Sequence, residues 1–258
     1  MEKVLYAQPV IDDMFKSWKP THKGMIIFAN PNDPAGQIYV NNKKKFCEKY
    51  EVFCKVESQA DSEFLYNLHC YIEQGYDCMV QEPLYNKGDL RHIKDALVDT
   101  LDVDAIGGDL RDDYHTPCTP LGILKLMDYY GIDVDGKNVV VIGRSEIVGH
   151  PMFELLLRRN ATVTICHSHT DRESLTRYTR SADIIISAVG KKNMVTGDMI
   201  NENAILIDVG INRLENGKIT GDFSKTAKEK CKAYTPVPKG IGPMTVATLI
   251  WKLGEKDA

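Results

Sequence analysis

A glycine-bounded turn is the first feature of this sequence that suits a chemical role. Gly143, Ser145 and Gly149 follow four apolar residues, Val139–Ile142, and precede a helical pattern of apolar residues. A strand that runs through a tight turn into a helix can bind a pyrophosphate, because backbone N–H groups and the helix dipole face the anion. The turn therefore predicts a dinucleotide site, although many strand–helix turns need glycine for backbone reasons alone.

The residues near that turn indicate which dinucleotide it binds. In a site for NAD, an acidic residue about 20 residues after the turn accepts the ribose 2′-hydroxyl. Here the second strand ends at His167-Ser168-His169 without a carboxylate, and Arg144 lies in the turn itself. An arginine fork and hydroxyl donors suit a 2′-phosphate, which an acid would repel. We therefore predict NADP; the alternative is that Arg144 and the histidines are ordinary solvated loop residues.

A lysine on the predicted helix Ile38–Tyr50 is a candidate for proton transfer. The apolar stripe of this helix holds Tyr39, Phe46 and Tyr50, and Lys43 lies on the same stripe, one helical turn after Tyr39. Such a lysine either extends its ammonium group to water or lies in a cleft, where loss of hydration lowers its pKa. The pattern alone favours the solvated form, and only the buried form would serve proton transfer at neutral pH.

Two further polar residues end predicted strands. Gln81 closes the strand Cys78–Gln81, and Asp104 follows Leu101-Asp102-Val103. Ligands of open α/β sheets bind beyond the carboxyl ends of the strands, so both side chains could face the same crevice as Lys43. Capping of a turn is the ordinary alternative for such residues.

A loop near the C-terminus, Pro236–Thr245, combines prolines with glycines. Pro238 stiffens it and Gly242 leaves room, which suits close approach of the backbone to a planar ligand. The same composition fits a plain linker from a strand to a helix, with Pro243 opening the last helix.

Apolar strands alternate with amphipathic helices almost throughout, which is typical of α/β proteins with parallel sheets. These elements must position the residues described above. The predicted strands are Gly24–Ala29, Val52–Val56, Cys78–Gln81, Ala105–Gly107, Val139–Ile142, Thr162–Ile165, Ile184–Ala188 and Ile205–Val209, and the predicted helices are Ile38–Tyr50, Ser62–Gln74, Leu90–Ala96 and Met152–Arg158.

The segment Pro117–Gly122 predicts a domain boundary. Thr119 suits an N-cap and Pro120 the first position of a helix, which Gly131 then ends. We expect a first domain at residues 1–118 and a second, Rossmann-type domain at residues 119–244. The final helical segment, residues 245–258, could pack on either domain, and we place it on the first.

The bulk composition excludes several classes of protein. A length of 258 residues suits one large or two modest domains, and a net charge of −4 without a basic tract gives no sign of nucleic-acid binding. No apolar run approaches the about 18 residues that span a bilayer, and the first residues resemble no leader peptide. Seven scattered cysteines without a C-x-x-C pair favour reduced thiols. We expect a cytoplasmic protein without a metal ion.

Eight segments of the sequence resemble, in order, those of the methylenetetrahydrofolate dehydrogenase/cyclohydrolase family. Each match is modest by itself, but eight in the same order are specific, and they extend over nearly the whole chain. They are Tyr39–Lys43, Val80–Leu84, Asp102–Asp104, Pro117–Gly122, Gly143–Met152, Ala161–Ser168, Asp208–Asn212 and Pro236–Thr245.

The resemblance implies two α/β domains with a cleft between them, and a homodimer. It implies that 5,10-methylenetetrahydrofolate gives a hydride from its one-carbon bridge to NADP⁺, and that the methenyl product is hydrolysed to 10-formyltetrahydrofolate. A reaction of this kind needs the bridge carbon held against the nicotinamide ring, so the tetrahydrofolate derivative is the expected partner.

The resemblance also implies roles for individual residues. The catalytic lysine of the family falls on Lys43, its tyrosine on Tyr39 and its glutamine on Gln81, while Asp104 would pair with the pterin nitrogens. These four residues are the expected catalytic residues. Tyr39, Gln81 and Asp104 would also bind substrate, together with Pro238 and Gly242. The residues expected to hold NADP are Gly143, Arg144, Ser145, Ile147, Val148, His167, Ser168 and Ile211.

The sequence departs from the family pattern around the folate site. Gly36 replaces a serine, Glu82 and Tyr85 make a Leu-Pro-Leu-Pro run more polar, and Ala105 and Lys239 replace glycines. The catalytic residues remain, but folate affinity and the balance of the two activities are in question. The alternatives are a dehydrogenase with weak or absent cyclohydrolase activity and an NADP-binding protein that acts without catalysis.

Overall fold

The computed structural model describes residues 2–86, 93, 102–105 and 110–256 of the chain. They form two compact units, which we name by their parallel sheets. The five-stranded unit comprises Met1–Ile11 and Thr119–Thr245, and the three-stranded unit comprises Asp12–Cys118 and Val246–Ala258. The fold is therefore of the α/β class, as the alternation of strands and helices predicted.

Most elements are short and lie near their predicted positions. In chain order, the helices of the described residues are α1 (Ala7–Met14), α2 (Pro34–Lys49), α3 (Phe64–Glu73), α4 (Cys118–Tyr129), α5 (Gly149–Arg158), α6 (Arg172–Ser181), α7 (Lys225–Lys230) and α8 (Ile241–Trp251), and the strands are β1 (Trp18–Pro20), β2 (Met25–Ala29), β3 (Cys54–Ser58), β4 (Asp77–Val80), β5 (Asn138–Ile142), β6 (Thr162–Cys166), β7 (Ile184–Ser187), β8 (Ile205–Asp208), β9 (Asn212–Arg213), β10 (Ile219–Thr220), β11 (Ala233–Tyr234) and β12 (Gly254–Lys256).

The three-stranded unit is built on a parallel sheet in the order β3-β2-β4, with Met25 opposite both Cys54 and Asp77. The central strand β2 is buried on both faces, as expected where helices cover both sides of a sheet. Met25 and Ile27 pack in one apolar cluster with Leu249 and Ile250 of α8. All three strands run in one direction, so their carboxyl ends meet at a single edge.

The five-stranded unit has a parallel sheet in the order β11-β8-β7-β5-β6. Strand β5 lies between β6 and β7, so the chain changes sides of β5 after β6. Ligands of doubly wound sheets bind at such a switch point, beyond the carboxyl ends of the strands. The fold therefore directs attention to the residues that follow β5 and β7.

The first residues of the chain correct the predicted domain boundary. Residues 2–11 belong to the five-stranded unit and not, as predicted, to the domain of residues 1–118. Val4 forms a parallel bridge with Tyr234, and the N–H of Leu5 donates to the carbonyl of Tyr234. This pairing joins residues more than two hundred positions apart, so no local pattern could reveal it.

Two local predictions are wrong. Helix α4 begins at Cys118, so Thr119 is a helical residue and not its N-cap, and its hydroxyl hydrogen-bonds to that of Thr245 at 2.9 Å. Ala105 cannot start a strand because its φ is 57°. The rest of the predicted strand Ala105–Gly107 and, apart from Ile93, the predicted helix Leu90–Ala96 lie outside the described residues. Among the described helices, none has the length and apolar character to cross a bilayer.

Candidate functional site

Lys43 is buried in the three-stranded unit. Only 6 % of it is exposed, and its Nζ donates to the Oε1 of Gln81 at 2.6 Å. Burial lowers the pKa of Lys43, and the nearby charge of Asp104 partly opposes this effect. Of the two interpretations of the sequence, the structure has the buried form. An amine with a lowered pKa can take up and release protons nearer to neutral pH than an ordinary lysine can.

Gln59 holds the strand end that carries Gln81. It is 4 % exposed, and its Nε2 donates to the carbonyl oxygens of Phe28, at 2.9 Å, and Gln81, at 2.7 Å. Its Oε1 accepts from the N–H of Tyr85 at 2.9 Å. Gln81 in turn donates its own Nε2 to the carbonyl of Glu82, which leaves Oε1 for Lys43.

Gln59 was not predicted from the sequence. It directly follows β3, as Gln81 directly follows β4, but the strand predicted there ended at Val56, so the rule that drew attention to Gln81 did not reach Gln59. The peptide bond between Glu82 and Pro83, in the segment that Gln59 supports, is cis.

Asp104 lies in a turn that two buried residues hold. Lys252 donates its Nζ to the carbonyls of Val103, at 3.0 Å, and Thr116, at 2.6 Å. The Cys118 thiol lies within hydrogen-bonding reach of the Val103 carbonyl and the Asp104 carboxylate. Burial raises the pKa of Cys118 to about 12, so it acts here as a neutral donor and not as a nucleophile.

Tyr39 completes the group that the sequence analysis selected in this unit. It is half-buried on α2, one turn before Lys43 and on the same face of the helix. The structure thus brings Lys43 together with Gln81 through a hydrogen bond and with Asp104 through its charge. This arrangement can bind a polar planar group and move a proton beside it.

The predicted dinucleotide turn lies at the switch point of the five-stranded sheet. Gly143 has a φ of 120°, and a Cβ on it would lie 2.9 Å from the carbonyl oxygen of Ala188. A Cβ on Gly149 would lie 2.2 Å from the carbonyl oxygen of Gly143. Close approach of the backbone therefore requires glycine at both positions. Helix α5 begins directly at the turn.

Ser145 and Val148 take part in the turn itself. The Ser145 hydroxyl accepts from the N–H groups of Val148, at 3.2 Å, and Gly149, at 3.4 Å. The side chain of Val148 is buried, so this predicted cofactor residue lies inside the protein fold. Arg144, between Gly143 and Ser145, is exposed.

The residues after β6 lie at the same edge of the sheet as Arg144, because β5 and β6 are parallel neighbours. The N–H of His167 donates to the Thr170 hydroxyl, and the N–H of His169 donates to Nδ1 of His167. Ser168 is exposed between them. This edge offers the Arg144 guanidinium, the Ser168 hydroxyl and the imidazoles of His167 and His169, which are groups that can bind a 2′-phosphate.

Three apolar side chains are exposed at the carboxyl ends of neighbouring strands. Ile147 is 50 %, Val189 39 % and Ile211 42 % exposed, after β5, β7 and β8 respectively. Exposed apolar groups beside a polar turn suit the flat face of a bound ring. Ile147 and Ile211 were among the predicted residues, whereas Val189 was missed because a single valine after a strand gives no signal.

Pro238 and Gly242 lie in the five-stranded unit, unlike Lys43, Gln81 and Asp104. The peptide bond before Pro238 is cis, and Lys239 follows with a φ of 83°. A Cβ on Gly242 would meet no atom within 4 Å, so this glycine faces open space. Among the described residues, no group of three or more His, Cys, Asp or Glu side chains could hold a metal ion.

Comparison with known proteins identifies one family. Residues 117–256 match the model of the tetrahydrofolate dehydrogenase/cyclohydrolase NAD(P)-binding domain. The bifunctional protein FolD of Aquifex aeolicus is 41 % identical over 249 residues, which are 91 % of this chain and 84 % of that protein.

Solved structures agree with the sequence comparison. The bifunctional methylenetetrahydrofolate dehydrogenase/cyclohydrolase of Campylobacter jejuni has 34 % identity and a TM-score of 0.83, with 96 % of this chain and 94 % of that chain covered. The Trypanosoma brucei enzyme, solved with NADP cofactor and inhibitor, has 25 % identity and a TM-score of 0.82, with 98 % and 97 % covered.

Proposed function

Because this chain belongs to the tetrahydrofolate dehydrogenase/cyclohydrolase family, we propose that it oxidises 5,10-methylenetetrahydrofolate with NADP⁺ and hydrolyses the product to 10-formyltetrahydrofolate. The observation that carries this function is the buried hydrogen bond between Lys43 and Gln81, with Asp104 beside it. Burial of a lysine beside a neutral amide costs free energy, because burial disfavours its charged form, and groups perturbed in this way are concentrated at functional sites.

The folate would bind in the three-stranded unit through groups that match its pterin ring. Asp104 would accept hydrogen bonds from the amino and ring nitrogens, and its turn is held by Lys252. Tyr39, half-buried on the face of α2 that carries Lys43, would contact the same substrate. Pro238 and Gly242 are proposed to contact the substrate through the backbone.

The five-stranded unit would hold NADP. The glycine-bounded turn leaves room for a pyrophosphate, and Arg144, His167 and Ser168 present no carboxylate to a 2′-phosphate. Ile147 and Ile211 offer apolar surface to a ring. Bound NADP⁺ would supply the acceptor for the hydride of the folate bridge carbon. The protein contributes position rather than acid–base chemistry to this step.

Hydrolysis depends on the residues around Lys43. Water adds to the methenyl carbon and must lose a proton, which the neutral amine of Lys43 accepts while Oε1 of Gln81 holds its Nζ. The hydroxyl group on that carbon then loses its remaining proton as the carbonyl forms, and the bond from the carbon to the ring nitrogen N5 breaks. N5 takes up one of the two protons that the water has lost. The formyl group stays on N10, so one water is consumed and one proton is released.

A second candidate is a dehydrogenase that hydrolyses its product poorly. The observation that favours it is the polar character of the segment after Gln81, where Tyr85 is 50 % exposed and Glu82 takes the place of an apolar residue. The two candidates differ in whether the methenyl intermediate accumulates.

The function is tested by following NADPH, methenyltetrahydrofolate and 10-formyltetrahydrofolate during turnover of the methylene substrate. We expect NADPH and the formyl product to rise together. Accumulation of the methenyl compound would favour the second candidate, and absence of NADPH would contradict both. Comparable rates with NADP⁺ and NAD⁺ would contradict the role of Arg144 and Ser168.

The family resemblance also supports a homodimer, and seven free cysteines support a reducing, cytoplasmic location. Light scattering on the purified chain tests the first of these proposals, since a monomer and a dimer differ twofold in mass. Localisation of the tagged chain by cell fractionation tests the second.

A further inference from the structure

Two fully buried aspartates lie beneath the proposed NADP site. Asp208 ends β8, and Asp222 follows β10; both are 0 % exposed. Neither belongs to the proposed catalytic or cofactor residues. Buried carboxylates are costly to desolvate, so the partners of these two groups indicate what they do.

Asp222 accepts hydrogen bonds from two separate loops. Its Oδ2 accepts from the Ser187 hydroxyl at 2.8 Å, and from the N–H groups of Val189 at 3.0 Å and Gly190 at 3.3 Å. Its Oδ1 accepts from the N–H of Lys191 at 2.8 Å and from Nδ2 of Asn212 at 3.1 Å. One carboxylate thus fixes three consecutive N–H groups after β7 and a side chain after β8.

Asp208 holds the backbone of Asp222 by a hydrogen bond. Its carboxylate accepts from the N–H of Asp222 at 2.9 Å and lies 3.5 Å from Nζ of Lys228. Two glycines make room for the pair: a Cβ on Gly221 would lie 1.9 Å from Asp208, and one on Gly210 would lie 2.0 Å from Asp222. The backbone is therefore shaped around these carboxylates.

One of the loops that Asp222 holds meets the dinucleotide turn, and the other loop meets the first. A Cβ on Gly143 would lie 3.5 Å from Cγ1 of Val189, and a Cβ on Gly190 would lie 4.0 Å from the carbonyl oxygen of Ile211. Val189 and Ile211 are the exposed apolar residues after β7 and β8. Asp222 thus accepts hydrogen bonds from the N–H of Val189 and from the side chain of Asn212, the residue after Ile211.

We propose that Asp222 is a positioning residue for NADP, which holds the loops Val189–Lys191 and Gly210–Asn212 in the conformation that binds the cofactor. This inference rests on the proposed function for the identity of the ligand. Asp222 takes no part in the reaction. Its loss leaves the N–H groups of Val189, Gly190 and Lys191 without their shared acceptor, so the loop loses the bonds that fix its conformation.

The bifunctional reaction supplies an internal control. Hydrolysis of supplied methenyltetrahydrofolate needs no NADP, and Lys43, Gln81 and Asp104 belong to the other unit. A defect confined to the loops should therefore weaken NADP⁺ binding and leave hydrolysis unchanged. A residue that only stabilises the fold would lower both activities together.

The test is Asp222→Asn, with the dissociation constant of NADP⁺ measured by fluorescence titration and hydrolysis measured without NADP. We expect NADP⁺ to bind at least about tenfold more weakly, because hydrogen bonds to a charged acceptor are lost. Hydrolysis should stay within about twofold of wild type, a difference too small to reflect a lost hydrogen bond. Asp198→Asn is the matched control, because Asp198 is an exposed aspartate of the same unit.

If Asp222→Asn does not fold, Asn212→Ser provides the test, since it removes one donor to Asp222 and keeps the carboxylate. We expect NADP⁺ to bind about three- to tenfold more weakly in this variant, as for one hydrogen bond to a charged group. Unchanged NADP⁺ binding in either folded variant, or equal loss of both activities, would overturn the proposal. If wild type bound NADP⁺ but turned over no folate, the proposed function would fail while the binding comparison still tested Asp222.

Discussion

The two candidate sites of this chain use the same edge of a parallel sheet in different ways. In the three-stranded unit, we propose that side chains carry the chemistry, and a buried lysine is held by an amide at 2.6 Å. In the five-stranded unit, we propose that backbone shape carries the binding, since Gly143 and Gly149 lie at positions where a Cβ would clash. The same fold rule places both candidate sites, whereas different residue types give each its proposed function.

The difference extends to the residues that support each site. Lys43 and Gln81 depend on a neutral amide, Gln59, which bonds two carbonyls and one N–H. The dinucleotide loops depend on a charged residue, Asp222, that accepts from successive N–H groups. Proton transfer needs an amine with a lowered pKa, and cofactor binding needs loops of fixed conformation. The supporting residues, Gln59 and Asp222, differ in the same way.

Replacement of Lys43 should have the largest effect. Lys43→Ala removes the amine that accepts the proton from water, so we expect hydrolysis to fall by about 10²–10⁴-fold. NADP⁺ binding, which depends on the other unit, should be unchanged. The measurement is hydrolysis of supplied methenyltetrahydrofolate together with NADP⁺ titration.

Two further variants separate charge from packing in that experiment. Lys44→Ala changes an exposed lysine of the same helix and should retain full activity. Lys43→Met keeps most of the side-chain volume and should be as inactive as Lys43→Ala. Wild-type hydrolysis in Lys43→Met would show that the amine has no role.

Gly149→Ala should weaken NADP⁺ binding and leave hydrolysis intact, which is the reverse of the pattern expected for Lys43→Ala. A Cβ there would lie 2.2 Å from the carbonyl oxygen of Gly143, so the turn must open and NADP⁺ should bind about a hundredfold more weakly. Hydrolysis without NADP serves as the control for folding and should persist. Wild-type affinity for NADP⁺ in a folded variant would show that the turn does not bind the cofactor.

Arg144→Ala should change the preference between cofactors rather than abolish binding. Loss of a guanidinium partner for the 2′-phosphate should reduce the preference for NADP⁺ over NAD⁺ by about tenfold. The ratio of kcat/KM for the two cofactors measures this, and Arg177→Ala, at an exposed arginine of α6, is the control. An unaltered ratio would assign the preference to other residues.

The smallest effect is expected at Lys239, in the loop with Pro238. Lys239 is exposed and has a φ of 83°, a conformation that favours glycine. Lys239→Gly should raise the free energy of unfolding by about 0.5–1 kcal/mol, because relief of strain exceeds the added flexibility. Lys239→Ala keeps the Cβ and should give no gain. Denaturant unfolding of wild type and the two variants measures these free energies, and equal values for Lys239→Gly and wild type would contradict the prediction.

Much of the fold follows from patterns that are local in the sequence. Apolar runs of strand length and the turn at Gly143 predicted the parallel sheets, because such signals depend on near neighbours. Lys43 was identified from its place on an apolar stripe, but its burial was not, because the stripe does not say whether Gln81 or water meets the ammonium.

The residues that the sequence analysis missed act through contacts between distant parts of the chain. Lys252, directly after the last helix, reaches the turn at Val103, and Asp222 reaches the loop at Val189 from beyond β10. The N-terminal residues join Tyr234 in the same way. No periodicity records such pairs, so only the fold reveals them.

The pH dependence of hydrolysis tests the central claim, that a buried lysine of lowered pKa moves the proton. With the uncatalysed rate subtracted, kcat for methenyltetrahydrofolate without NADP should rise with pH as Lys43 loses its proton. Because burial lowers the pKa of Lys43, the inflection should lie below 10.5, the ordinary value for a lysine. It should vanish in Lys43→Met. An inflection that persists in Lys43→Met, or a wild-type profile without one below 10.5, would contradict the account.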